Sequence, residues 1–128
     1  MQVAFEHHLP LLVLEVRDLQ ASRAWYEKVL GAKLFYELEG GGWCELSTPV
    51  KNTLVGLKQA DAGKAPIHNG GSALSYGVKD MAKAKSWLEA NKVKLKGEVI
   101  EIPQTVKLLY FEDLDGNTLL FYQPWQKL

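Results

Sequence analysis

Glu15 is the residue of this chain best placed to do chemistry. It interrupts the apolar run Leu11-Leu12-Val13-Leu14-Glu15-Val16, where every neighbour suits a buried strand. A carboxylate shielded from water on such a strand is suited to act as a general base or as the partner of a bound cation. The alternative is an ion pair with Lys58 or Arg17 at a cleft edge, because structural pairs also place charges in such positions. The other reactive types are less promising. His7 and His8 precede the first strand and His68 lies in a glycine-rich segment; their spacing is that of no zinc motif, and solvated histidines are the expectation. Cys44 has no base beside it in sequence, and a small buried residue is expected. Gly40-Gly41-Gly42 is followed by no helix and no GK[ST], which makes it a hairpin turn and not a phosphate cradle.

The elements that must position Glu15 form a repeat. LLVLEVRDLQASRAWYE near the start aligns with ALSYGVKDMAKAKSWLE at an offset of 62, so that Val16 meets Val78, Asp18 meets Asp80, Trp25 meets Trp87 and Glu27 meets Glu89. Each copy runs from a strand through an aspartate into a helix. Asp18 and Asp80 are expected as N-caps, each carboxylate accepting from a first-turn amide, and Gly31 as a left-handed stop. Trp25 and Trp87 are expected in the core under the sheet. Strands follow near Lys33–Leu38, Trp43–Ser47 and Thr53–Lys58 in the first copy, and near 94–102, 105–112 and 118–123 in the second. The segment 59–72 is the linker, and Asp113-Leu114-Asp115-Gly116-Asn117 is a turn. The expected fold is α+β: a single domain over residues 1–128, made of two βαβββ modules (about 10–58 and 73–123) that form one curved, mixed, eight-stranded sheet around a cleft, with the helices outside.

Composition narrows the function classes. The 128 residues carry 15 Lys plus Arg against 15 Asp plus Glu, so there is no basic footprint for nucleic acid and no polybasic anchor for anionic lipid. No apolar run of membrane-spanning length and no secretory signal is visible. With one cysteine no internal disulfide can form, and a cytoplasmic location is expected.

The ordered set Leu14-Glu15-Val16-Arg17-Asp18-Leu19, Trp25-Tyr26, Val29-Leu30-Gly31, Val78-Lys79-Asp80 and Asp113-Leu114-Asp115-Gly116-Asn117 resembles the vicinal-oxygen-chelate superfamily, which includes glyoxalase I, extradiol dioxygenases and bleomycin-resistance proteins. Metal-dependent members place a His seven residues before each strand-ending Asp, a Glu three residues after the Asn of the late turn, and a fourth ligand on the last strand of the first module. Here those positions are Leu11, Ala73, Leu120 and Gly56, none of which offers a side-chain donor. The resemblance therefore implies a metal-free member with no cofactor, and also a homodimer.

Strand parity assigns the cleft lining. Leu11, Val13 and Glu15 face inward on the first strand, Trp43, Glu45 and Ser47 on the third, and Leu54, Gly56 and Lys58 on the fourth. Ala73, Ser75 and Gly77 face inward from the second module, with Thr118, Leu120 and Tyr122 on the last strand. Tyr110 joins them by resemblance. Aromatics, small residues and few polar groups suit a small, mainly apolar or aromatic ligand. The expected function is metal-independent binding of such a molecule. The alternatives are an enzyme with Glu15 as general base and Tyr110 or Tyr122 as acid, and a scaffold whose cleft is filled by its own side chains.

Overall fold

The computed structural model describes residue 4, residues 11–67 and residues 72–125. Among them the first module comprises β1 (Leu11–Val16), α1 (Leu19–Leu30), β2 (Lys33–Glu37), β3 (Trp43–Ser47) and β4 (Leu54–Gln59). The second comprises β5 (Leu74–Gly77), α2 (Met81–Ala90), β6 (Lys94–Leu95), β7 (Ile100–Ile102), β8 (Val106–Glu112) and β9 (Thr118–Pro124). The strands form two mixed sheets, ordered β1-β4-β3-β2 and β5-β9-β8-β6, with β7 also paired to β8. Among the described strands, the one parallel pair in each sheet joins the strand before the helix to the last strand of the module (β1 to β4, β5 to β9).

The α+β class and the paired modules agree with the sequence reading, and two details correct it. The strand expected over 94–102 is divided into β6 and β7. Gly97 adopts φ 85 between them, a conformation that no regular strand accommodates. The described strands also number nine in two sheets rather than eight in one.

The helices form where the aspartates begin them. Asp18 Oδ1 accepts from the Ala21 amide at 3.1 Å and Asp80 Oδ1 from the Lys83 amide at 3.1 Å. Gly31 ends α1 at φ 68, returning its amide to Glu27. Leu19, Ser22, Tyr26 and Val29 recur at helical spacing and are buried. One core cluster runs through both modules, with Leu14, Val16, Leu46 and Leu57 from the first and Leu88, Leu109, Phe111 and Leu119 from the second. Each such leucine stabilises the fold by about 1.5–3 kcal/mol on burial.

Trp25 packs at the margin of this core, but Trp87 does not enter it. Trp87 is 50% exposed, and its indole Nε1 donates to the Val29 carbonyl of α1 at 2.8 Å. The expectation of a core tryptophan fails there because Met81 and Leu88 define the buried stripe of α2 and Trp87 lies beside it.

Besides the shared core, side chains of the turn at 113–117 bond the second module to the first. The Arg17 amide donates to Asp115 Oδ1 at 2.9 Å, and Asn117 Nδ2 donates to the Glu15 carbonyl at 3.1 Å. These bonds satisfy backbone groups at the end of β1, which lies at the edge of its sheet. Tyr26 Oη donates to Asp113 Oδ2 at 2.7 Å. Asp113 also accepts from the amides of Asp115 and Asn117 and from Asn117 Nδ2, so this buried carboxylate is fully bonded.

Candidate functional site

Alternation along the strands separates two faces in each sheet. In the first, Leu14, Val16, Cys44, Leu46, Val55 and Leu57 are buried against the helix side. Leu11, Val13, Glu15, Trp43, Glu45, Gly56 and Lys58 therefore share the opposite, inner face. Register makes two cross-strand rows of them: Val13, Gly56, Glu45 and Tyr36, then Glu15, Lys58 and Trp43. The bulge lies in β2, between Leu34 and Tyr36, and leaves β3 and β4 in continuous register.

Trp43 is held in place from two directions. Its Nε1 donates to Glu45 Oε2 at 2.9 Å. Its ring lies across Gly56, where a Cβ would fall 2.6 Å from Trp43 Cη2 and 2.5 Å from Leu11 Cδ1. No side chain larger than hydrogen fits there without displacing them.

Glu15 is engaged as well. Lys58 Nζ lies 3.6 Å from Glu15 Oε2 and 3.7 Å from Asp61. Glu15 Oε1 accepts from the Ile67 amide at 3.1 Å. The carboxylate thus fastens the linker to the inner face of β1, with Pro66 buried next to that contact point. The ion pair with Lys58, one of the two outcomes open from sequence, is present.

In the second sheet Tyr76, Leu109, Phe111, Leu119 and Phe121 are buried on the helix side. Ser75, Gly77, Tyr110, Leu120 and Tyr122 take the other face, and Ala73 immediately precedes β5. Ser75, Leu120 and Tyr110 form one cross-strand row and Gly77, Tyr122 and Leu108 the next. Tyr122 covers Gly77 as Trp43 covers Gly56, but less tightly: a Cβ on Gly77 would meet the phenol ring at 3.2 Å.

A separate apolar cavity of about 180 Å³ lies on the helix side, lined by Val29, Leu30, Pro49, Val50, Tyr76 and Phe121. Burial pushes the Tyr76 phenol up to about 12. Burial also pushes the Cys44 thiol up, which opposes formation of a reactive thiolate.

Side-chain parity made the faces legible. Three features escaped it. Gln59 Oε1 accepts from the Leu19 amide at 2.8 Å, and Gln123 Oε1 accepts from the Met81 amide at 2.6 Å, so each module bonds its helix start from its last strand. Gln59 Nε2 additionally donates to the Arg17 carbonyl. Third, the hydrogen-bond centre at Asp113 draws on Tyr26, 87 residues away. Only the position of each glutamine at a strand end could have signalled the first two.

A family model described as the glyoxalase/bleomycin resistance protein/dioxygenase superfamily matches residues 8–121. The chain belongs to this superfamily. Similar solved structures include a superfamily member from Sphaerobacter thermophilus (20% identity over 94% of this chain and 98% of that one, TM-score 0.74). TnmS3, an antibiotic binding protein from a Streptomyces species, is similarly close (20% identity, 96% and 99% covered, TM-score 0.73). A variant of the fosfomycin resistance protein FosX from Listeria monocytogenes, solved with Mn(II) and a dihydroxypropylphosphonic acid, matches at 14% identity (94% and 90% covered, TM-score 0.67). At these identities the likeness establishes the fold. No curated protein matches the sequence at a significant level.

Metal use by superfamily members raises the question of whether this chain's residues fit an ion. Leu11 and the Trp43 ring fill the space above Gly56, and Ala73 and Leu120 supply no donor. Among the described residues no three His, Cys, Asp or Glu side chains converge; His7, His8 and His68 lie outside those residues. The described residues do not fit a metal centre.

Proposed function

We propose that the inner faces of the two sheets bind a small, mainly apolar or aromatic molecule without a metal ion. The observation that carries this reading is the replacement of ligand positions by packing: Leu11 and Trp43 close over Gly56 where a fourth ligand would project. Trp43 and Tyr122 supply aromatic surface, and Val13, 48% exposed, supplies an apolar floor. The fold shared with an antibiotic binding protein is consistent with this. Leu11, Val13, Trp43, Glu45, Lys58, Ala73, Ser75, Tyr110, Leu120 and Tyr122 are the proposed contacts. The test is calorimetric titration of purified protein with planar aromatic compounds, before and after chelator, with elemental analysis of the same sample. Binding unchanged by chelator is expected. About one Zn, Ni, Fe or Mn per chain, with binding lost on its removal, overturns the proposal.

The enzymatic alternative, with Glu15 as general base, has less support, because both Glu15 oxygens are occupied by Lys58 and the Ile67 amide. A homodimer is part of the proposal. Leu34, Phe35, Tyr36 and Leu38 are exposed along the edge strand β2 and just beyond it, and Phe35 is 64% exposed. Such a strand is prone to pair or to be covered. Sedimentation equilibrium should give twice the chain mass, and Phe35→Glu should lower it. No helix among the described residues is long and apolar enough to cross a membrane. The single cysteine, which is buried, fits a reducing cytoplasmic compartment.

A further inference from the structure

The cavity on the helix side is walled by both modules. Val29, Leu30, Pro49 and Val50 come from the first, Tyr76 and Phe121 from the second. It lies behind the second sheet, on the face opposite Tyr110 and Tyr122. Val29, Tyr76 and Phe121 are buried and make its inner wall, while Pro49 and Val50 are exposed and make its mouth. The inner wall is held from behind. Trp87 Nε1 donates to the Val29 carbonyl at 2.8 Å, and the Phe121 ring packs on Phe111 with centroids 4.6 Å apart. A preformed apolar hollow of this kind suits a small ligand.

Two observations define what fits. The first is the volume, about 180 Å³. Drug-sized ligands occupy roughly 300–1,000 Å³, whereas an apolar cavity of about 150 Å³ holds benzene. One aromatic ring with a short substituent is therefore the limit. No lining residue is charged, so an ionic ligand would lose its hydration without compensation. The second observation is the Tyr76 hydroxyl. Tyr76 is 8% exposed, and its hydroxyl has no hydrogen-bond partner among the described residues. The Thr48 hydroxyl stands near it but is bonded to the Val50 carbonyl and amide, each at 3.2 Å. A buried donor left unmet is costly, and a ligand that brings an acceptor relieves that cost. The hydroxyl lies under the wall and not in the open space. The Val50 side chain, 46% exposed at the mouth, is the part of the wall able to yield to a ligand.

We infer that this cavity is a second small-molecule site, for a neutral ligand of one aromatic ring carrying a hydrogen-bond acceptor, with Tyr76 as the donor. The inference is independent of the inner-face reading. Three probes of one shape test it: acetophenone, isopropenylbenzene and benzoate, each titrated into the full chain and followed by the NMR shifts of its amides and methyl groups. Saturable shifts should centre on Val29, Leu30, Val50, Tyr76 and Phe121. Acetophenone should bind about fivefold tighter than isopropenylbenzene, which has the same shape without the acceptor, and benzoate most weakly. Tyr76→Phe keeps the ring and removes the donor. It should bring the two neutral probes to within about twofold of each other and leave isopropenylbenzene binding unchanged. Equal affinities of the neutral probes in the wild-type protein, an acetophenone preference that persists in Tyr76→Phe, or no saturable binding overturns the inference. Shifts confined to Leu11, Val13, Trp43 and Tyr122 also overturn it, and uphold the inner-face reading instead.

Discussion

The two modules share the bonds that build a helix start and differ in what their inner faces carry. Asp18 and Asp80 each cap a helix from the front, and Gln59 and Gln123 each reach a first-turn amide from behind, across 40 and 42 residues. This arrangement recurs because the first-turn amides of any helix lack intrahelical partners, and both modules solve that problem with the same side chains. The inner faces had no such requirement in common. The first carries Glu15, Glu45, Lys58 and Trp43; its counterpart carries Ser75, Leu120, Tyr110 and Tyr122. The shared bonds mark the scaffold, and the unshared residues mark the candidate site.

The largest test of this comparison is the feature present in one module only. Asp113→Ala strands four donors in a buried turn, among them the Tyr26 hydroxyl and Asn117 Nδ2. Denaturant unfolding should show a loss of about 3 kcal/mol or more. The same contact predicts alkaline sensitivity. Burial, reinforced by the Asp113 charge, holds the Tyr26 phenol well above its ordinary value, and Tyr76 stands at about 12. Above pH about 10 the unfolded chain releases these protons while the folded chain retains them, so stability falls as pH rises. Tyr26→Phe should flatten that slope; an unchanged slope would show that Tyr26 does not supply it.

A second test compares the two glycines. Gly56→Ala places a methyl 2.5–2.6 Å from Leu11 and Trp43, whereas Gly77→Ala meets Tyr122 at 3.2 Å. The first should cost about 1–3 kcal/mol and displace the Trp43 ring, the second distinctly less. Equal costs would mean that the Trp43 platform yields as readily as Tyr122. A third test removes the shared bonds. Gln59→Ala and Gln123→Ala should each cost about 1 kcal/mol, with Gln59 the costlier because it also serves the Arg17 carbonyl. If only one of them destabilises the protein, the helix starts are not equivalent and the comparison breaks.

These features also divide what the sequence could reveal from what it could not. The caps at Asp18 and Asp80 and the stop at Gly31 were legible because donor and acceptor lie within a few residues of one another. The inward positions were legible because side-chain direction alternates along a strand regardless of context. The glutamine bonds, the Asp113 centre and the Ile67 amide on Glu15 join residues 40 to 87 positions apart, and local pattern carries no trace of them. Trp87 was misread because helical spacing locates a stripe only to within a residue or so at its edges. The divided strand at 94–102 was misread because Gly97 marks an interruption only once its backbone conformation is known.

The smallest expected effect belongs to Glu15, the residue most conspicuous in the sequence. Lys58 is 43% exposed and Glu15 20%, so water and salt screen their ion pair. Glu15→Gln keeps an acceptor for the Ile67 amide and removes only the charge. Its cost should stay below about 1 kcal/mol at low salt and shrink further at high salt. The same variant separates the two readings of the first module. If Glu15 only fastens the linker, ligand affinity should change little, because the Glu45 carboxylate and the Trp43 ring are left in place. If it is a general base, any turnover found with a carbonyl substrate should fall by orders of magnitude while stability scarcely moves. Module two has Gly77 at the corresponding position and fastens no linker there, so a large effect of Glu15→Gln on turnover would move the chemistry wholly into the first sheet.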